Sequence, residues 1–296
     1  MKRRGFALLA VLWVMTGLAV LALAAMLAAR EAVAAARNRI AWTRAAWRAE
    51  GCAERVRATI DGALAAGGKW QDLAHESPLA ILDATSCRAT LMPSGYTVDV
   101  NPAGVERLTG LFRASGVSPV RVDSLVDAIV DWRDDDDSPS TLGAESAWYR
   151  ERQMIAPRNG PLGDAAELRF VRGIAASGAA NLLGTESGKT PVNLAPLPVV
   201  ASLPGMSPEA IEALADRRRR NVPVTDLARL AYGISASARD TLLRRFAELA
   251  ELATVDPEYW ILDVSAAEGV PAVEAVVQLR LAPGPAGAIV VGKKIW

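Results

Sequence analysis

The chain opens on one long uncharged stretch and does not return to that texture. From Phe6 to Ala29, FALLAVLWVMTGLAVLALAAMLAA, no side chain carries a charge. About twenty apolar residues cross a bilayer as a helix, so this run is long enough with some tilt. Backbone groups in lipid must bond within their own segment, which makes the run helical there. The pattern then continues as EAVAAARNRIAWTRAAWRAEGCAERVRATIDGALAA, with no Pro between Phe6 and Ser77. Ala, Arg and Glu dominate it, all good helix formers. Val33, Ala36, Ile40 and Trp47, then Val56, Ile60 and Leu64, recur near helical spacing and predict one apolar stripe. The reading is a single helix from Phe6 to Ala66, roughly 90 Å long at about 1.5 Å per residue. Gly67-Gly68 ends it. Residues 6–29 are expected in the membrane and 30–66 on a soluble domain.

Period two replaces period 3.6 near the C-terminus. Val273, Ala275, Val277, Leu279 and Leu281 share one face, with Glu274, Gln278 and Arg280 on the other. Strands are predicted near Tyr259–Ser265, Ala272–Leu281 and Ala288–Lys294. Residues Ala89 to Val100 read as two short strands with a turn at Pro93-Ser94-Gly95. Between these β regions the signals are helical with frequent breakers. Leu125–Trp132, Ala165–Gly173, Pro208–Arg218 and Ala238–Leu252 are the candidate helices. The predicted sheet needs an apolar partner, and the soluble half of the long helix supplies one.

Composition narrows the function classes. Among 296 residues, Lys plus Arg and Asp plus Glu are 33 each, so bulk charge does not drive the chain onto nucleic acid. One His and two Cys exclude a His/Cys zinc cluster and a disulfide scaffold. His75, expected on a loop surface, has no second His for a ligand pair or a triad. No nucleophile elbow and no phosphate loop is present, so no enzyme is predicted. Lys2, Arg3 and Arg4 precede the apolar run and place the N-terminus in the cytoplasm, the bulk of the chain outside. In a bacterium that is the inner membrane and periplasm. A cleaved signal peptide is the rival reading, with a shorter apolar core and a small-x-small cut site.

Three features carry candidate chemistry. Asp134 to Asp137 are four carboxylates in a row, with Glu145 downstream. Like charges so placed either bind a hard cation such as calcium or form a solvated loop. The Gly of an EF-hand loop is absent. Val192 to Arg220 resembles a helix-hairpin-helix, a fold that can hold DNA phosphates on backbone N–H groups. Ser207 stands where DNA-binding hairpins carry a second Gly, Pro208 lacks an N–H, and Glu209 and Glu212 have the wrong sign, so DNA binding is disfavoured. Cys52 and Cys87 are either a bridge closing a loop of roughly 35 residues or two separate buried thiols.

The leader KRRG-F, with a basic start ending in Gly5 and an apolar helix from Phe6, resembles type IV pilins and type II secretion pseudopilins. That resemblance implies cleavage between Gly5 and Phe6 by prepilin peptidase and N-methylation of Phe6. The alternative is an uncut signal anchor. Most such proteins carry Glu at the fifth residue after the cut, where this chain has Ala10. The Glu would neutralise a neighbour's terminal amine, and an unpaired carboxylate in lipid is costly. Ala10 therefore suits a subunit at the tip.

Leu125 to Tyr149, LVDAIVDWRDDDDSPSTLGAESAWY, and Ala156 to Ile174, APRNGPLGDAAELRFVRGI, resemble the K-type minor pseudopilins of type II secretion. The resemblance implies an α+β fold. A pilin-like long N-terminal helix packs on a small antiparallel sheet, and a large all-α insertion interrupts it. The corresponding segments are a leader at 1–5, the helix at 6–29 and 30–66, the first sheet part at 67–101, the insertion at 102–253 and closing strands at 254–296. It implies I-type and J-type pseudopilin partners, a place at the pseudopilus tip and a part in starting assembly. It also implies calcium at the Asp run, with Asp134, Asp136, Asp137 and Glu145 as candidate ligands and Asp131 ranked behind them. A membrane-anchored DNA-uptake protein using the hairpin is the alternative function.

Overall fold

The computed structural model describes residues 4–70, 87–285 and 287–296; Met1 to Arg3 and His75 lie outside the described residues. Helix α1 covers Arg4–Ala65. Gly67 stops it in a left-handed conformation, φ +90°, while the Gly68 N–H returns to the Ala63 carbonyl at 2.9 Å. Strand β1 (Arg88–Pro93) follows, then β2 (Val98–Asp99). Helices α2 (Val105–Ala114), α3 (Pro119–Arg133) and α4 (Ser146–Glu151) come next. Short strands β3 (Leu183–Gly184) and β4 (Thr190–Pro191) lead to α5 (Leu197–Ala201) and α6 (Pro208–Arg219). Helices α7 (Ala236–Arg244) and α8 (Phe246–Leu252) precede β5 (Ala253–Thr254). Strands β6 (Trp260–Glu268), β7 (Val273–Gly284) and β8 (Gly287–Ile295) close the chain.

The main sheet is antiparallel with order β1-β6-β7-β8. Ala49, Cys52, Ala53, Val56 and Ile60 of α1 lie on it, packed with Leu262, Val264, Val277, Leu279 and Leu281. Their spacing of three and four puts them on one helix face. Three of the five are small, so the helix axis can approach the sheet closely. Upstream, every residue from Leu9 to Ile40 is exposed. The predicted stripe therefore changes: Val56 and Ile60 are buried, whereas Val33, Ala36, Ile40 and Trp47 are exposed. Strands of nine residues reach only about 30 Å, a third of the helix, and Trp47 falls off the face that Ala49 and Ala53 define.

The sheet also fixes which way up the molecule stands. Glu268, at one end of β6, pairs with Arg48 of α1. Trp260, at the other end, stacks on Trp70 at 5.6 Å, beyond the end of α1. The Ala288 N–H, on the same side, donates to Asp61 at 2.7 Å. The insertion leaves after Pro93 and returns at Trp260, which are register partners. It therefore sits at the end of α1 farthest from the apolar segment. Its apolar core runs from Val98 to Ala253 and is separate from the core under α1.

Three local predictions differ from the structure. The first sheet part ends earlier than residue 101: the two short strands and the turn of residues 89–100 are present, but only β1 joins the main sheet, and β2 pairs in parallel with β3 inside the insertion. Gly95, at φ +67° and tight against the Lys189 backbone, turns the chain away. Ala165–Gly173 is not an α-helix but a 3₁₀ turn, Ala165–Arg169, followed by turns to Gly173. Leu168, Val171 and Ile174 are buried at a spacing of three, which a threefold turn satisfies. Ala238–Leu252 is broken at Arg245, φ −108° and ψ 16°. The Arg245 guanidinium is forked between Glu248 and Glu106 of α2, with one bond to Glu106 at 3.0 Å.

Candidate functional site

Helix α3 starts on Pro119 at its first position, where a missing N–H costs nothing. It buries Leu125, Val126, Ile129 and Trp132 in the insertion core. Its last turn places Asp131 inward, with no exposed surface, and Asp134 at the C-cap, three residues on and on the same side. The Arg133 guanidinium anchors this end by donating to the Asn101 carbonyl at 3.0 Å and the Ala103 carbonyl at 2.7 Å.

The loop after α3 folds back over Asp131. The Ser140 N–H donates to both Asp131 oxygens, at 3.1 and 3.2 Å. The Leu142 N–H donates to Asp127 at 3.0 Å, and Arg172 donates to the Gly143 carbonyl at 2.7 Å. Gly143 lies so close that a Cβ there would overlap the Asp131 carboxylate. This path delivers Glu145 to the start of α4. One carboxylate oxygen from each of Asp131, Asp134 and Glu145 lies within 4.8 Å of the others. Tyr149 backs the group, edge-on to Trp132 at 5.3 Å and to Trp148 at 4.9 Å. The Arg172 N–H donates to its hydroxyl at 2.9 Å.

Asp131 has the Ser140 N–H, but among the described residues the other two acids carry oxygens without a hydrogen-bond partner. Glu145 is 3% exposed and neither of its oxygens has a hydrogen bond; Asp134 Oδ1 is also buried and unpartnered. Burial first, then the charges of Asp131 and Asp134, push the Glu145 carboxyl up to about 7. Burial, then Asp136, Asp131 and Asp135, push Asp134 up as well. Orphaned oxygens gathered around one point are what a hard cation satisfies, so the residues present fit calcium.

Two of the four ligand candidates do not join this group. Asp136 accepts the Ser138 N–H at 2.7 Å in a local turn. Asp137 accepts the Asn159 amide at 3.2 Å, and its bonds to Ser146 and Asn159 hold it below the ordinary carboxylate range. Beyond the end of α3 the chain no longer repeats its facing, so adjacent carboxylates diverge. Asp131, ranked behind them, lies inside the group; its helical i, i+3 spacing to Asp134 was the available signal.

Elsewhere, Cys52 and Cys87 are bonded with Cα atoms 6.7 Å apart, tying α1 to the residue before β1. The hairpin-like segment is spent on internal contacts. Its Gly205, at φ +76°, lies against Leu242 of α7. Arg218 donates to the Val192 carbonyl at 2.6 Å, and Arg219 and Arg220 pair with Asp216. Glu209 caps α7 by accepting the Ser235 N–H at 2.5 Å and its hydroxyl at 2.6 Å. At the N-terminus, Gly5 and Phe6 lie in the first turn of α1, and Ala10 is exposed. The α1 helix is long and apolar enough to cross a membrane, with a mean hydropathy of 2.4 in its most apolar window.

Residues 83–185 match the family model described as Type II secretion system (T2SS), protein K. No curated protein matches the chain. A similar solved structure is a chain of "The Crystal Structure of the GspK-GspI-GspJ complex from enterotoxigenic Escherichia coli Type 2 Secretion System". It is 19% identical, with 71% of this chain and 79% of that chain covered and a TM-score of 0.49.

Proposed function

We propose that the whole chain, with its protein K segment at residues 83–185, acts as a non-enzymatic minor pseudopilin of the type II secretion system. It is held in the bacterial inner membrane by residues 6–29, with the rest of the chain in the periplasm. It stands at the tip of the pseudopilus beside I-type and J-type subunits and helps to start their assembly for export of folded proteins. The observation that carries the tip placement is the position of the insertion. It extends from the end of the sheet nearest Trp70 and Trp260, farthest from the apolar segment. Bulk there obstructs a further subunit stacking above while leaving the helix below free to pack.

Ala10 supports the same placement. A tip subunit has no upper neighbour whose amine could pair a carboxylate in lipid, and Ala10 presents none. Cleavage between Gly5 and Phe6, followed by methylation of Phe6, is supported by the KRRG-F leader, a basic start ending in Gly5 with the uncharged run from Phe6 behind it. The Asp131, Asp134 and Glu145 group holds calcium and thereby fixes the loop between α3 and α4.

Mass spectrometry of the mature N-terminus tests this reading, on protein from membranes with and without prepilin peptidase. The expected species begins at methylated Phe6 and vanishes without the peptidase. An intact Met1 in both strains sinks the pseudopilin assignment. Co-purification with the I-type and J-type subunits then tests the placement.

A further inference from the structure

We infer that a cavity of about 510 Å³ between the main sheet and the insertion binds an organic cation: a guanidinium or alkylammonium group on a short aliphatic stem. Its walls combine apolar Met92, Leu183 and Ile261 with Tyr96 and Trp296. Asp263 of β6 and Gln278 of β7, register partners, also line it. The Gln278 amide donates Nε2–H to Asp263 Oδ1 at 2.9 Å, which sets the amide's orientation. Gln278 is 6% exposed, and its Oε1 is buried with no partner. Asp263 accepts no other hydrogen bond among the described residues. The half-buried Asp263 carboxylate, held in place by the Gln278 amide and with an oxygen to spare, is a charged acceptor that a cationic N–H matches.

Lys294 lines the cavity too and its charge draws the Asp263 carboxyl down, but its Nζ bonds Glu186 at 3.2 Å and, among the described residues, makes no hydrogen bond to Asp263. Glu186 also lines the cavity, but it is engaged by Arg280 at 2.5 Å and by Lys294 at 3.2 Å. Burial, more than any other influence, pushes the Asp263 carboxyl up, so a partner cation is favoured there. A metal ion is the poorer fit: it wants six to eight oxygens and gains nothing from aliphatic walls. Tyr and Trp faces attract an organic cation, and Met, Leu and Ile cover its stem.

Calorimetry on the full chain in detergent micelles, with chelator present, tests the inference using N-acetyl-arginine amide, agmatine and N-acetyl-citrulline amide. Both cations should bind at least about tenfold more tightly than neutral citrulline, the value of one charge-assisted hydrogen bond. Tighter binding of the acetylated amide assigns the site to a side chain within a polypeptide; tighter binding of agmatine assigns it to a free small cation. Asp263→Asn should weaken the cations by a similar factor without moving citrulline. Trp296→Ala, at the exposed rim, should weaken them less. Equal binding of citrulline and the cations, or no binding of either cation, overturns the proposal without recourse to any variant.

Discussion

Glu145 sits at about 7 because it is buried beside Asp131 and Asp134, and that position sets a pH signature. In metal-free protein its folded value lies above its unfolded one. The contribution to stability is therefore fully present at low pH and is lost as pH rises through about 7. Calcium needs ionised ligands, so the loaded protein changes in the opposite sense. The melting-temperature gain from calcium should widen between about pH 5 and about pH 8. Glu145→Gln should abolish most of that gain, read by thermal melts of decalcified and calcium-loaded samples. Asp136→Asn, whose carboxylate closes a local turn, should leave it nearly intact. Gly143→Ala forces a methyl group into the Asp131 carboxylate and should cost about 1–3 kcal/mol in denaturant unfolding while weakening calcium.

Between elements, the closest fit is α1 on the sheet. Ala49 and Ala53 are almost wholly buried against it. Ala49→Leu adds volume at a residue with no exposed surface, so unfolding should become easier by about 1–3 kcal/mol. The Cys52–Cys87 bridge holds the same helix to the residue before β1 across a sequence separation of 35. Changing both to Ser should cost about 3–4 kcal/mol in the loop-entropy account, with a larger m-value because the unfolded chain loses its cross-link and exposes more surface. Reduction of the wild-type protein should reproduce that loss and leave the double variant unaffected.

The whole molecule divides at the level of Ala41. Above it lie the buried apolar clusters; below it every described α1 residue from Leu9 to Ile40 is exposed. A chain beginning after Ala29 should therefore fold without detergent and melt close to the full-length protein in micelles, checked by circular dichroism and gel filtration. Aggregation of that shortened chain would show that the apolar segment supports the fold as well as the anchor. The exposed Val33 and Ile40 belong to this scale too, because they lie below the level that the sheet reaches.

Several features were legible in the sequence because they depend on local pattern. The uncharged run, the unbroken helix, the stop at Gly67 and the alternating strands β6 and β7 are each set by neighbours a few residues away, through helix propensity, glycine's access to positive φ, and pleat. The insertion was visible as helical texture between two strand regions. What the pattern could not supply was pairing across distance. β2 joins β3 rather than β1 because Gly95 turns the chain towards Lys189, a contact almost a hundred residues off. The reach of the sheet decided that Ala49 and Ala53, not Val33 and Ile40, form the buried face. The acid group followed the same rule. The Asp run announced charge that needed neutralising, but only the loop pinned by Ser140, Leu142 and Arg172 could bring Glu145 back to Asp131 and turn Asp136 and Asp137 away. Sequence determined the elements and the chemistry available; tertiary structure decided which side chains meet, because meeting depends on how separate elements pack in space.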